Sequence, residues 1–109
     1  MECDAVIMES TLILRIKGEL DQYNADRYRV RFDMRIVSPE IQKVVIDISE
    51  LSFIDSSGVG FLVGRFKTAR AFSKDLVIVC NSSYINKLLS TCGIEKLIKK
   101  YSTIEEALG

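Results

Sequence analysis

The residues best suited to chemistry stand together near the middle of the chain, in the segment Asp55-Ser56-Ser57-Gly58. An aspartate or serine before an apolar run commonly caps a helix, because its side chain accepts hydrogen bonds from the free N–H groups of the first turn. The same N–H groups and the helix dipole favour an anion. A phosphoryl group on Ser56 or Ser57 would therefore be stabilised there, with about −1.5 to −2 charges beside Asp55. Taken alone, the segment is also compatible with plain helix capping.

Catalytic chemistry is limited by what the chain lacks. None of the 109 residues is a histidine, which excludes Ser-His-Asp and Cys-His arrangements and any histidine metal ligand. A nucleophilic Ser56 would have no base, since no lysine is close to it in the sequence. No Gly-x-x-x-x-Gly-Lys loop is present to hold a phosphate. We therefore expect a protein that is not an enzyme and that has no cofactor and no metal.

The three cysteines indicate the redox environment. Cys3, Cys80 and Cys92 are far apart, and no pair has the Cys-x-x-Cys spacing of a zinc or redox site. Cys80 and Cys92 lie in apolar stretches, which predicts buried free thiols. Free thiols are typical of a reducing compartment.

Net charge and hydropathy narrow the class of partner. The 15 basic and 15 acidic residues cancel, whereas electrostatic binding to nucleic acid requires an excess of positive charge. The N-terminus carries Glu2, Asp4 and Glu9 before any basic residue, unlike a signal peptide. The apolar runs are too short to cross a bilayer. We expect a cytoplasmic protein that binds neither nucleic acid nor membrane and that acts as a monomer.

Charge is unevenly distributed around Ser56. The stretch 44–64 contains three acidic residues and no basic one, whereas the stretch 65–74 contains four basic residues and no acidic one. The acidic residues are Asp47, Glu50 and Asp55, and the basic ones are Arg65, Lys67, Arg70 and Lys74. The sequence therefore predicts a basic helix that begins where an acidic stretch ends.

The first third of the chain predicts a β-hairpin followed by a helix. Residues 5–17 are rich in β-forming types, with a turn at Glu9-Ser10, and Gly18 is expected to end the second strand. The range 22–37 predicts a helix that Ser38-Pro39 ends. Its apolar stripe is Ala25, Tyr28, Phe32 and Ile36. A second row, which is either a solvated face or a partner surface, consists of Arg27, Arg31 and Arg35.

The middle of the chain predicts a strand, a loop and a helix. The apolar run 43–48 is typical of a central strand covered on both faces, and 49–54 is expected to be a loop. A helix then begins at the Asp-Ser-Ser-Gly segment and continues to about Phe72. Gly60 and Gly64 are expected to allow this helix to pack closely on the sheet. Its predicted buried stripe is Val59, Leu62, Val63, Phe66 and Ala69.

The last third of the chain predicts a strand, a helix and two short C-terminal elements. A buried strand covers 76–80, and Ser82 or Ser83 caps a third helix that Gly93 stops. A short strand or turn is expected near 99–101. A last helix is expected to open with a capping box at Ser102-Thr103-Ile104-Glu105.

The order of elements is therefore β-β-α-β-α-β-α-(β)-α. Strands separated by helices imply right-handed crossovers and parallel pairing, and the opening hairpin adds an antiparallel pair. We predict one α/β domain over residues 1–109. It has a small mixed, mostly parallel sheet with an N-terminal β-hairpin and about four helices.

Nearly the whole chain resembles the anti-sigma factor antagonists of the STAS domain family, and it is especially similar to their sporulation branch. The residues that carry the resemblance are Gly18-Glu19-Leu20-Asp21, the run from Leu51 to Gly60, and Gly64-Arg65-Phe66-Lys67. Weaker support comes from Cys92-Gly93-Ile94. The resemblance implies a single STAS domain.

The resemblance also implies a switch in place of catalysis. In the family, the serine after the aspartate is phosphorylated by the anti-sigma factor, a serine kinase, and that position is Ser56 here. The unphosphorylated antagonist binds the kinase and frees the sigma factor, phosphorylation ends binding, and a separate serine phosphatase restores it. The implied partner-binding residues are Asp21, Asp55, Ser56, Ser57 and Gly58. Little change of fold is expected on phosphorylation.

Two alternatives remain open at this point. A two-component receiver is also a small parallel α/β domain, with Asp55 as its phosphoacceptor and Glu19 and Asp21 as an acidic pocket, but no Lys-Pro-like segment follows a late strand. The second alternative is a STAS module of a general-stress or lipid-transport complex. Phe53, Ser57 and the segment 64–67 favour the sporulation branch.

The chain departs from the family pattern at two places. The first helix carries an unusual set of arginines, and the connection 72–75 lacks the glycine that relatives often have there. The arginines are Arg27, Arg29, Arg31 and Arg35.

Overall fold

A computed structural model describes residues 1–109 as one five-stranded sheet with helices on both faces. The strands are β1 (Glu2–Met8), β2 (Thr11–Leu20), β3 (Lys43–Ile54), β4 (Asp75–Val79) and β5 (Lys100–Tyr101). The helices are α1 (Gln22–Ile36), α2 (Ser56–Ala71), α3 (Ser83–Cys92) and α4 (Ile104–Leu108), with a 3₁₀ turn at Ile94–Lys96. The predicted element order is confirmed.

The strands follow one another across the sheet in chain order, from β1 to β5. The hairpin strands β1 and β2 are antiparallel, and every other neighbouring pair is parallel. The predicted mixed, mostly parallel sheet with an N-terminal hairpin is therefore confirmed. The hairpin turn lies at Glu9-Ser10, as predicted, because Met8 pairs with Thr11.

Two apolar layers flank the sheet because alternate residues of a strand point to opposite faces. The larger layer joins one face of the sheet to α1, α2 and α3, and it includes Leu14, Ile46 and Ile78. The smaller layer lies under α4 and consists of Ile13, Val45, Val77, Val79 and Ala107. The prediction that the strand at 43–48 is covered on both faces is therefore confirmed.

Two predicted strand ends were wrong. The range 49–54, expected to be a loop, continues β3, and β2 extends past Gly18 to Leu20. Two irregularities explain the error, because β3 contributes one residue more than β2 between Arg15 and Lys17 and again between Gly18 and Glu19. Such bulges break the alternation of side chains that a strand prediction depends on. Gly18 accommodates this with a φ of +105°, a backbone conformation that favours glycine.

Helix α2 packs with a different face from the predicted one. Leu62 and Ala69 are buried, but Phe61 and Arg65 are buried as well, and Val59, Val63 and Phe66 are only partly covered. Gly60 and Gly64 do not pack on the sheet, since a Cβ added at either would meet no atom within 4 Å. The close-packing explanation for this glycine pair was therefore wrong.

Two further expectations near the C-terminus need correction. Cys92 is exposed, because it is the last residue of α3 and Ile94, beyond the left-handed Gly93, fills the core there. The capping box is Thr103 with Glu106, one residue later than expected. Both registers fit the Ser/Thr-x-x-Glu pattern, and the observed one buries Ala107 completely. Of the two predicted cap candidates, Ser82 caps α3, and Gly93 ends the helix as predicted.

None of the four helices is both long enough and apolar enough to cross a membrane.

Candidate functional site

The candidate site lies where β2 and β3 end side by side. Leu20 and Ile54 are neighbours in the parallel register and are the last residues of their strands. Asp21 and Asp55 follow them directly, and each begins the next helix. The sheet thus places two capping aspartates and two helix N-termini next to each other at its carboxyl edge.

Both aspartates hold the first turn of their helix. The carboxylate of Asp21 accepts a hydrogen bond from the N–H of Asn24, and that of Asp55 accepts one from the N–H of Gly58, each at 2.9 Å. Each aspartate has the extended backbone typical of an N-cap residue. The buried amide of Asn24 also donates to the carbonyl oxygen of Glu19, at 2.9 Å, which ties α1 to the end of β2.

The two serines differ in accessibility. Ser56 is the first residue of α2 and is exposed, whereas Ser57 is partly buried and faces α1. The N–H groups at the start of α2 and the helix dipole would attract a phosphoryl group on Ser56, and the carboxylate of Asp55 would repel it. Access to another protein is therefore better at Ser56 than at Ser57.

Gly58 fixes how deeply α2 sits in the sheet edge. It is buried, and a Cβ at this position would lie 2.2 Å from the carbonyl oxygen of Leu20 and 2.7 Å from Cγ1 of Ile54. No real Cβ has such contacts, so only glycine allows the first turn of α2 to approach β2 this closely. The position of Ser56 relative to Asp21 depends on this approach.

The sequence model of the STAS domain family matches residues 2–107 of this chain. The chain belongs to the STAS domain family.

Curated relatives of this STAS domain include anti-sigma factor antagonists. The anti-sigma F factor antagonist of Paenibacillus polymyxa is 30% identical over 97 residues, which cover 89% of this chain and 83% of the relative. The anti-sigma-B factor antagonist of Listeria monocytogenes is 31% identical over 84 residues, which cover 77% of this chain and 73% of that relative.

Solved structures of anti-sigma factor antagonists have a similar fold. The anti-sigma factor antagonist SpoIIAA in its unphosphorylated form is 25% identical, with a TM-score of 0.80, and the match covers 98% of this chain and 93% of that one. The Bacillus SpoIIAA in its phosphorylated form is also 25% identical, with a TM-score of 0.73, and the match covers 98% and 96%.

Fewer basic side chains of the stretch 65–74 are exposed than the sequence suggested. Lys67 and Arg70 are exposed, but Arg65 and Lys74 are buried. The ammonium group of Lys74 donates to the carbonyl oxygens of Ile36 and Ser38, each at 2.6 Å, and so satisfies the end of α1. Two of the four cations of this segment therefore serve the fold.

Arg65 makes the one ion pair between α1 and α2, and its guanidinium is buried whereas the Asp33 carboxylate is partly exposed. Its Nε lies 2.7 Å from Oδ1 of Asp33 on α1, without the alignment of a hydrogen bond. Burial lowers the pKa of the Arg65 guanidinium, and the neighbouring Asp33 opposes that shift. In the sequence Arg65 follows Phe61 by one helical turn, but neither residue belongs to the predicted apolar stripe, so the burial of Arg65 was not predicted.

The arginine row of α1 lies on its exposed side. Arg27 and Arg31 have their guanidinium groups over the ring of Tyr28, with 5.7 and 5.2 Å to the ring centre. Arg35 is exposed as well. No group of three or more Cys, Asp or Glu side chains is arranged to hold a metal ion.

Proposed function

We propose that this STAS domain is an anti-sigma factor antagonist controlled by phosphorylation of Ser56. The unphosphorylated form binds an anti-sigma factor that is a serine kinase, and the sigma factor is released. The kinase phosphorylates Ser56, which ends the binding, and a serine phosphatase removes the phosphoryl group. The observation that carries the proposal is the exposed Ser56 at a sheet edge where two capping aspartates begin neighbouring helices.

The proposed contact surface consists of the two helix starts. Asp21 and Asp55 are partly exposed beside Ser56, and Ser57 and Gly58 complete the first turn of α2. The surface is acidic and small, so a basic group of the kinase would complement it. The relatives named as anti-sigma factor antagonists support this assignment, because their similarity extends over most of the chain.

Electrostatics explain why one phosphoryl group is enough. It adds about −1.5 to −2 charges at pH 7 to a surface that already carries two carboxylates. A like-charge contact at an interface costs several kcal/mol, and each 1.4 kcal/mol changes the dissociation constant tenfold. Phosphorylation can therefore reduce binding by orders of magnitude without a new fold.

In this proposal the chain is a binding protein and a kinase substrate, and it acts in the cytoplasm, where the kinase, ATP and the sigma factor meet. We assign it to the sporulation branch on Phe53, Ser57 and the segment Gly64-Arg65-Phe66-Lys67. The similarity to an anti-sigma-B factor antagonist favours a general-stress sigma factor as the second candidate.

The proposal is tested by measuring binding to the anti-sigma factor kinase in the presence of ADP. We expect Ser56→Ala to bind like wild type, because the surface keeps its charge. Ser56→Asp is expected to bind at least about tenfold more weakly.

Ser83→Asp is the matched control, since Ser83 is likewise an exposed first residue of a helix. It is expected to bind like wild type. Equal affinity of Ser56→Asp and Ser83→Asp for the kinase would rule out charge at Ser56 as the switch.

A further inference from the structure

A groove runs between α1 and α2 from the proposed phosphorylation site toward the middle of both helices. Its volume is about 340 Å³. Ser57 lies at its upper end and Arg65 at its lower end, and both belong to α2. Residues of α1 that line the opposite wall include Gln22, Asp26 and Arg29. The groove therefore opens on the surface that a partner bound at Ser56 would cover.

Two glycines keep the groove open. Gly60 and Gly64 line it, and a Cβ added to either would meet no atom within 4 Å. Glycine in the middle of a helix is unfavourable relative to alanine. Neither position has a positive φ that would require glycine. Nothing within the chain accounts for the missing side chains, but a group that enters the groove from outside would need the space.

Arg65 supplies a buried cation with unused donors. The residue is 5% exposed, and its Nη1 makes no hydrogen bond within the chain. Asp33 approaches Nε, and the guanidinium lies over the ring of Phe61, with 4.9 Å to the ring centre. A buried N–H group without an acceptor is costly, so an acceptor supplied from outside would be bound favourably.

The other charged side chains at the groove do not supply the acceptor that Nη1 of Arg65 lacks. Asp26 is exposed and pairs loosely with Arg29, its neighbour on α1, at 3.8 Å. Asp33 is already engaged with Nε of Arg65. An incoming anion would therefore meet Arg65 at the base and Arg29 at the rim.

We propose that this groove receives a carboxylate side chain, Asp or Glu, of the anti-sigma factor kinase. The carboxylate accepts hydrogen bonds from the guanidinium of Arg65 and is flanked by Gly60 and Gly64. This inference rests on the proposed function, and it adds an anion-binding contact to a surface that is otherwise acidic. The kinase would then be recognised by opposite charges at two neighbouring points, which fixes its orientation.

The first test fills the groove without removing a charge. Gly60→Ala and Gly64→Ala are expected to fold with an unfolding midpoint equal to or above that of wild type, because alanine favours the helix. Their affinity for the kinase is expected to fall at least about tenfold. Arg70→Ala is the control, since Arg70 is exposed on the far side of α2 and should leave the affinity unchanged.

The second test identifies the ligand by pairing variants of both proteins. Each Asp and Glu on the kinase surface is changed to its amide, and binding is measured to wild type and to Arg65→Gln. Replacement of one of these carboxylates is expected to lower the affinity for wild type at least about tenfold and to leave the affinity for Arg65→Gln unchanged. A free anion is the competing ligand for Arg65. The carboxylate assignment would be overturned if millimolar inorganic phosphate weakened kinase binding and if the effects of Arg65→Gln and of every kinase variant were fully additive.

The outcomes separate this inference from the proposed function. If wild type does not bind the kinase, the proposed function fails. If wild type binds but Gly64→Ala binds equally well, the groove receives nothing and this inference alone is wrong. Arg65→Gln is expected to lose stability because the partly buried Asp33 loses its ion-pair partner. The glycine variants decide the question if Arg65→Gln does not fold.

Discussion

Gly58 and Gly60 are two residues apart on α2, but their surroundings are opposite. A Cβ at Gly58 would collide with the backbone of Leu20, whereas a Cβ at Gly60 would enter open space. Gly58→Ala should therefore reduce the free energy of unfolding by about 1–3 kcal/mol. Gly60→Ala should increase it by about 0.5–1 kcal/mol. Urea denaturation of the matched pair measures both, and equal effects would contradict the close approach of α2 to β2.

The cysteines offer a second test at the level of single residues. Cys80 is 1% exposed, and burial raises the pKa of its thiol, so little thiolate forms there near neutral pH. Cys92 is exposed. Iodoacetamide followed by mass spectrometry should modify Cys92 in the native protein and Cys80 only after denaturation.

The pH dependence of this reaction has a defined sign. Because the pKa of Cys80 is raised, its thiol stays protonated up to a higher pH than the thiol of a free cysteine does. Raising the pH from 7 to 9 should therefore leave Cys80 protected in the native protein. Similar native rates at Cys80 and Cys92 would mean that Cys80, directly after β4, is not buried as described.

At the level of elements, the end of α2 shows what the missing glycine in the connection 72–75 means. The N–H of Ser73 donates to Arg70 O and the N–H of Lys74 to Ala69 O, at 3.0 and 2.9 Å, which is the Schellman ending of a helix. Ser73 is the left-handed residue of this motif, with a φ of +59°. Glycine is preferred at this position because side chains destabilise the left-handed conformation.

Ser73→Gly should therefore stabilise the protein. We expect the free energy of unfolding to rise by about 0.5–1 kcal/mol, since the relief of the left-handed residue exceeds the added flexibility of the unfolded chain. The control is Ser102→Gly, because Ser102 is exposed and does not have a positive φ. A gain in stability from the control alone would show that the connection is not strained at Ser73.

The sequence predicted most elements because their local signals agree with the fold. The caps at Asp55 and Ser82 and the stop at Gly93 depend on neighbouring residues only. Each cap was narrowed to two adjacent residues, one of which is the observed cap, and the stop was predicted correctly. The continuation of β3 to Ile54 was missed because bulges against β2 disturb its alternation, and such pairing is not encoded locally. The part of the candidate site that was predicted from local signals is the start of α2.

The groove could not be predicted for a related reason. It requires α1 and α2 to lie side by side, which brings Asp33 to Arg65 across 32 positions of sequence. In the sequence alone, Arg65 belongs to a run of basic residues and Gly60 and Gly64 suggest close packing. Only the tertiary arrangement shows that the cation is buried and that the glycines face open space.

At the scale of the whole molecule, we expect phosphorylation to change the charge and not the architecture. The chain matches both the unphosphorylated and the phosphorylated form of the solved relative over 98% of its length. Its 15 acidic and 15 basic residues cancel, so one phosphoryl group of about −1.5 to −2 charges sets the net charge. Amide chemical shifts should therefore change at the starts of α1 and α2 and stay the same in β4 and α3. Changes throughout the sheet would contradict a purely electrostatic switch.

The central claim is that Ser56 is the phosphoacceptor, and mapping the phosphate tests it most directly. Wild type, Ser56→Ala and Ser57→Ala are each incubated with the anti-sigma factor kinase and ATP, and phosphate incorporation is measured by intact mass and peptide mapping. We expect one acid-stable phosphate on wild type and on Ser57→Ala, and none on Ser56→Ala. Normal phosphorylation of Ser56→Ala, or its loss in Ser57→Ala alone, would contradict the account.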